Sequence, residues 1–415
     1  MSIFKPFKAV RPMPAYAEKV AALPYDVMNS DEAREKVQGN PYSFLHVDKA
    51  EIDLPVGTGL YDDIVYQTAA NNLKSLERDQ ICKQDKTPCF YIYMQTWNGH
   101  TQTGIVGCAS IDDYINGNIK KHELTRADKE ADRIRHVDEC DANTGPIFLT
   151  YKGSHALTAL INDFTTTHLP IYDFKSEGEV ANKIWVVNEE TVNAEIETLF
   201  ADVDALYIAD GHHRCASAAK VGMMRREQNP NYTGDEEFNY FLAVAFPKDE
   251  LRILDYNRVI ADLNGMDKAE FIQKISDKFV VESALQVKPY APDERHTFGM
   301  FLDGSWYKLT AKPGTFDESD PVKSLDVSIL QDNLISPILG IDDPRTDKRI
   351  DFVGGIRGLG ELEKRATTDM VLAFSMFPTS LDELIRIADA GALMPPKSTW
   401  FEPKLLSGLF IHKLS

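Results

Sequence analysis

The sequence predicts an α+β protein with mixed and antiparallel sheets, and three observations carry that reading. Apolar runs at residues 90–94 and 104–108 flank Asn98 and Gly99, and runs at 298–302 and 306–309 flank Asp303 and Gly304. Such dipeptides supply the positive φ angles of a tight antiparallel hairpin. Other segments space their apolar residues as a helix does, for example Leu60, Ile64, Val65, Ala69, Leu73 and Leu76. Finally, strands and helices do not alternate strictly, as an all-parallel sheet requires.

In chain order, residues 7–10 predict a strand that Arg11 and Pro12 end, and residues 22–27 an extended piece bracketed by proline. Ser30 reads as the N-cap of a helix closed by Asn40 and Pro41, and residues 44–47 as a strand. The helical stretch at 59–77 and the hairpin around Asn98 come next. Residues 120–141 are dense in charge and read as mostly helical, with a strand at 146–151 after them. Paired strands are expected at 171–174 and 183–187, a helix at 189–200, and a strand at 206–209 running into a helix. Residues 241–246 and 251–259 read as an antiparallel pair. Beyond them come a helix (268–279), the second hairpin, a helix (325–339), strands at 348–355 and 371–377, and a helix at 380–390. With no internal repeat and no long linker, 415 residues predict closely packed lobes, with boundaries at 1–165, 166–262 and 263–415.

Composition narrows the function. Forty-five basic against 64 acidic residues give a formal net charge of −19, which disfavours nucleic acid, because phosphate backbones reward clustered Lys and Arg. A small anion held by a local basic pocket remains open. Cys82, Cys89, Cys108, Cys140 and Cys215 form no CxxC pair, so neither a disulfide framework nor a zinc knuckle is expected. The first residues lack an apolar signal core, and no uncharged run reaches membrane-spanning length. The expectation is a cytoplasmic protein with no membrane partner; its oligomeric state is not readable.

The densest chemistry lies in Asp210-Gly211-His212-His213-Arg214. An apolar strand there meets a glycine turn and then the small helix formers Cys215, Ala216, Ser217, Ala218 and Ala219. A helix opening at such a turn presents N–H groups suited to phosphate or carboxylate, and Arg214 adds a planar fork of donors. The two histidines are otherwise a metal pair or a surface accident, although adjacent histidines do not share the i, i+4 face of metal-binding helices. Asp210 either accepts from the turn's N–H groups or holds Mg²⁺ through water. A second group is His122, Glu123 and Thr125, with Asp132, Arg133 and His136 downstream. Arg126 stands where HExxH needs its second histidine, so a zincin is excluded. What remains is a general base at Glu123 or a solvated charged helix capped by Thr125. Arg11 and Asp26 sit beside prolines, as turn formers or as ligand contacts. Lys397, Ser398, Thr399 and Lys404 come after Pro395 and Pro396 and either close an anion pocket or form a rigid extended ligand. The glycines between 354 and 360 lack the Lys-Ser/Thr of a Walker loop and read as a core turn or helix entry.

Taken together, Arg11-Pro12, Leu23-Pro24-Tyr25-Asp26-Val27, Asn40-Pro41, Lys121-His122-Glu123 with Thr125, Asp132-Arg133, residues 209–214 and residues 394–399 resemble the domain-of-unknown-function family 1015 over nearly the whole chain. Residues 210–214 with their helix are also similar to the nucleotide-phosphate motif of the ParB/sulfiredoxin fold. That superfamily includes free-serine kinases, nucleotide-hydrolysing partition proteins and sulfiredoxins. Cys215 comes after Arg214 instead of standing within the phosphate motif, which argues against sulfiredoxin chemistry. The resemblance implies a ParB/sulfiredoxin-like core that binds ATP or ADP with Mg²⁺ and phosphorylates a small hydroxylated metabolite, free L-serine first. It implies phosphate contacts from Gly211, His212, His213, Arg214, Arg133 and Lys397, with Asp210 toward the metal. Glu123 is implied as base with His122 beside it, and Arg11, Asp26, Thr125, Ser398 and Thr399 line the substrate pocket. A nucleotide-switched regulator and a phosphatase of phosphorylated metabolites use the same groups.

Overall fold

The computed structural model describes residues 2–283 and 289–415. It is α+β, and it divides into two compact units, residues 1–251 with 403–415, and residues 252–402. This differs from the three lobes expected, because strands from the first two are hydrogen-bonded into one sheet and residues 403–415 return to the first unit.

In the first unit that sheet runs in the order Ile119–Lys120, Leu206–Asp210, Ile147–Tyr151, Tyr240–Pro247, His100–Ser110, Phe90–Trp97, Val180–Val187 and Tyr172–Ser176, with Phe4–Lys5 added beside His100–Ser110. The hairpin at Asn98 and Gly99 forms as expected. Trp97 pairs with His100, and both turn residues take positive φ, 49° and 75°. The core includes Phe90, Ile105, Leu149, Ile208 and Phe241 from the strands. Helices His155–Thr167, Glu190–Ala201 and His212–Gln228 supply Phe164, Phe200 and Cys215 to it. A second core gathers Phe44, Leu45, Val65, Ala69 and Leu73 around Val10 and Ile411. Residues 403–415 therefore close the unit: Ser407 bridges Ala22, Ile411 bridges Val10, and His412 pairs with Asn143.

The second unit holds a six-stranded antiparallel sheet in the order Phe279–Ser283, Ser305–Ala311, Thr297–Leu302, Leu372–Met376, Tyr256–Ile260 and Ile350–Gly354. Helix Leu359–Thr368 covers a core of Val259, Phe301, Trp306, Val353 and Ala373 through Leu362. The glycine cluster enters that helix, with Gly358 at φ 71° just before it.

Several local expectations change. Residues 45–47 lie in a short helix, Leu45–Asp48, capped by Phe44, instead of a strand; so short a run suits either form, and packing chooses. Asn29, not Ser30, caps the helix Ser30–Lys36, because its side chain accepts from both Asp31 N and Glu32 N. The helix expected from residue 59 begins at Asp63, which leaves Leu60 outside it, and Ile64 in its first turn is exposed. Residues 241–246 do not pair with 251–259: Tyr240–Pro247 lies between His100–Ser110 and Ile147–Tyr151, and the chain then leaves for the second unit. The five cysteines are free and buried. No helix among the described residues is long and apolar enough to cross a membrane.

Asp326 in the second unit is buried, and its Oδ2 has no hydrogen-bond partner among the described residues. Burial, with Glu383 adding to it, pushes its carboxyl up to about 7, against the His296 N–H and Arg295. A carboxyl raised on folding stabilises most below its unfolded value and loses that contribution as pH rises through its folded value. The full chain should therefore lose stability between about pH 4 and 8, by on the order of 3–4 kcal/mol from this group. Asp326→Asn should flatten that slope in denaturant unfolding measured across the range.

Candidate functional site

Parallel pairing builds the site. Leu206–Asp210 pairs in parallel with Ile119–Lys120, Leu206 opposite Ile119 and Tyr207 opposite Lys120. The residues after Lys120 therefore emerge beside those after Tyr207. On its other side the strand pairs antiparallel with Ile147–Tyr151, and the register shifts between Ile208 and Asp210. A shift of this kind turns a strand end out of the regular ladder.

Gly211 makes the turn, at φ 93° and ψ 30°, and its N–H donates to Asp210 Oδ1 at 2.8 Å. A Cβ at Gly211 would lie 3.1 Å from Arg214 Nε, so space as well as backbone angle asks for glycine. Helix His212–Gln228 comes next, and Cys215, Ala216, Ser217, Ala218 and Ala219 are all buried. Lys404 Nζ donates to Asp210 Oδ2 at 3.0 Å. Burial opposes ionisation of Asp210, but Lys404 and Arg214 outweigh it and hold the carboxyl well below the usual carboxylate range. With one oxygen on Gly211 and the other on Lys404, Asp210 has the geometry of a turn lock, the first of the two roles open to it from sequence.

His122 and His212 meet edge to face, their ring centroids 4.5 Å apart. Only 2% of His122 and 7% of His212 is exposed. Neither ring nitrogen of His122, nor Nε2 of His212, has a hydrogen-bond partner among the described residues. Burial first, then His212, pushes His122 well below the ordinary imidazole value. Asp210 and the Ile208 carbonyl, which lies outside hydrogen-bond geometry, pull the other way. Burial lowers His212 to about 4, again against Asp210. Both rings are neutral at pH 7. Glu123 is half-buried, and one ligating atom from each of His122, Glu123 and His212 lies within 4.8 Å of the others. His213 points elsewhere, accepting from Arg126 N at 3.0 Å. Thr125 does not cap the helix Ala127–Cys140; it donates to Glu130 at 2.6 Å.

Arg214 Nη1 donates to Pro146 O at 2.7 Å. Gly145 leaves room for it, since a Cβ there would lie 3.3 Å from Nη1. Arg214 and Arg133 line one small cavity of about 20 Å³ with Tyr25, Asp48 and Thr144, space for about one water molecule. Arg133 is buried, donates to Asp132 at 2.9 Å and lies 4.1 Å over the Tyr25 ring. Asp26, next to Tyr25, is exposed.

Other expected contacts are engaged within their own units. Arg11 gives its fork to Asp85, at 2.7 and 2.8 Å, so its donors serve an internal ion pair. Lys397, Ser398 and Thr399 belong to the second unit, where Arg258 donates to Lys397 O and Ser398 Oγ to Pro395 O. The Lys404–Asp210 pair, the Tyr25–Arg133 contact and the facing of His122 with His212 were not legible from spacing, because a two-residue strand, Ile119–Lys120, leaves no periodic trace.

A family model described as "Protein of unknown function (DUF1015)" matches residues 4–328. The chain belongs to the DUF1015 family. No curated protein matches it in sequence. Among solved structures it is similar to free serine kinase in complex with ADP, at 12% identity and TM-score 0.36, covering 72% of this chain and 87% of that one. It is also similar to C-terminally truncated SbnI from Staphylococcus aureus, at 10% identity and TM-score 0.38, covering 73% and 85%. A third is a conserved hypothetical protein from Pyrococcus furiosus, at 12% identity and TM-score 0.36, covering 74% and 94%.

Two substitutions test the turn. Gly211→Ala should cost about 1–2 kcal/mol through its left-handed backbone angle and displace Arg214, read as a lower urea midpoint. Lys404→Met should cost about 1–3 kcal/mol by leaving the Asp210 carboxylate without its cation. Adding Asp210→Asn should restore part of that loss in the same assay.

Proposed function

We propose that this chain is a nucleotide-dependent phosphotransferase for a small hydroxylated metabolite, with free L-serine giving O-phosphoserine as the leading reaction. The observation that carries the reading is the parallel pairing of Ile119–Lys120 with Leu206–Asp210, which sets the segment bearing Glu123 against the glycine turn. A carboxylate beside a helix N-terminus and an arginine is the combination that phosphoryl transfer to a hydroxyl needs. In this reading the phosphates of ATP or ADP, with their Mg²⁺, bind at the first turn of helix His212–Gln228. Arg214 faces anionic oxygens, and Arg133, paired with Asp132, backs it across the small cavity they share. Glu123 takes the proton from the acceptor hydroxyl, and that oxygen attacks the terminal phosphorus. The nucleotide leaves one phosphate shorter. Positioning and charge neutralisation supply the catalysis.

The test is nucleotide consumption by the purified full chain, with and without L-serine. Acceptor-dependent turnover with O-phosphoserine as product is expected; hydrolysis that serine leaves unchanged points to a phosphatase or a nucleotide switch and overturns the reading. Glu123→Ala should lower turnover by about 100-fold or more, the usual worth of a positioned base, and leave nucleotide affinity nearly unchanged by calorimetry.

A further inference from the structure

We propose that His122, Glu123 and His212 form a binding site for one divalent transition-metal ion, of the zinc, manganese or iron class. The proposal does not rest on the phosphotransferase reading, and it competes with that reading for Glu123, since a carboxylate held by an ion is a poor base.

The first argument is the state of the imidazoles. Two rings with at most 7% exposure lie edge to face at 4.5 Å, and three of their nitrogens are buried without a hydrogen-bond partner among the described residues. Buried polar atoms in native proteins nearly always have partners, so three orphans in one place mark a missing group. A neutral imidazole carries one lone pair and one N–H; a water or a cation can meet lone pairs from both rings together, and the carboxylate of Glu123 beside them favours the cation. The second argument is convergence. A carboxylate oxygen of Glu123 joins the two histidine nitrogens with all three atoms inside 4.8 Å. A bound ion takes each ligand at about 2.0–2.2 Å, so the three side chains would draw together around it.

The donor set decides the metal class. Two imidazole nitrogens and one carboxylate suit zinc, manganese, iron or cobalt, whereas Mg²⁺ prefers oxygen ligands and retained waters. Three protein ligands also leave coordination positions open, as in metal sites that bind a further ligand. Neighbouring groups do not compete for the ion: Asp210 is held by Gly211 and Lys404, and His213 accepts from Arg126 N. Sequence spacing excludes an HExxH helix here, and it hides this site because His212 comes from a different strand–helix turn.

The experiment uses the full chain after chelator treatment, titrated calorimetrically with Zn²⁺, Mn²⁺ and Mg²⁺ alone, with Co²⁺ absorption as a reporter of the ligand set. One ion per chain is expected, with Zn²⁺ at least 100-fold tighter than Mg²⁺. Glu123→Gln, close to isosteric, should weaken Zn²⁺ binding at least 10-fold and change the Co²⁺ spectrum. His122→Asn and His212→Asn should each do so as well. Circular dichroism of the metal-free variants checks folding, and Glu123→Gln decides the matter if a histidine variant does not fold. Absence of a stoichiometric site, or undiminished Zn²⁺ affinity in Glu123→Gln, overturns the proposal. Catalytic turnover is not the readout, so failure here leaves the phosphotransferase reading intact, and failure of that reading leaves this one.

Discussion

Two backbone pairings, Leu206 with Ile119 and Tyr207 with Lys120, fix everything of chemical interest in the first unit. Parallel strands run out of the sheet at the same end, so both segments release their polar residues into one place. Had Ile119–Lys120 joined the sheet in the opposite sense, Glu123 would have emerged at the far edge. The charged stretch after residue 120 thus takes its meaning from a strand of two residues.

Electrostatics at this sheet end stem from burial. Asp210 is kept ionised by Lys404 and Arg214 in spite of its surroundings. It spends its oxygens on the turn and on the lysine, which stiffens the entry to helix His212–Gln228. The imidazoles beside it are driven the other way, to the neutral form, because a protonated ring there gains too little from Asp210 to offset lost solvation. A cationic group, Arg214, and the helix opening therefore sit beside two neutral imidazoles, His122 and His212.

Much of this was legible in the sequence, and the remainder has a physical explanation. The Asn98-Gly99 hairpin and the strand–glycine–helix turn at Asp210 are local, set by backbone angles that few residues tolerate. The Ser30 cap was displaced by one residue because Asn29 offers the same acceptor one step earlier. Leu60 lies before the helix and Ile64 on its exposed face, since periodicity does not report where burial stops. The expected pairing of 241–246 with 251–259 failed for a non-local reason: the better partner of Tyr240–Pro247 lay more than a hundred residues back. Arg11 looked like a ligand contact and is an internal ion pair, because nothing in its neighbourhood in sequence announces Asp85.

The second unit enters and leaves through adjacent chain, with Ile253 and Leu254 paired to Phe401 and Trp400. Lys404 comes directly after that exit, although its carboxylate partner precedes the entry. During synthesis the Asp210 turn thus waits for its counter-ion until all of residues 252–402 have been made. A chain interrupted anywhere in that stretch has Arg214 but not Lys404 beside Asp210, and it lacks Ile411 of the second core. Completion of the polypeptide is in this sense a condition for the charge balance of the site.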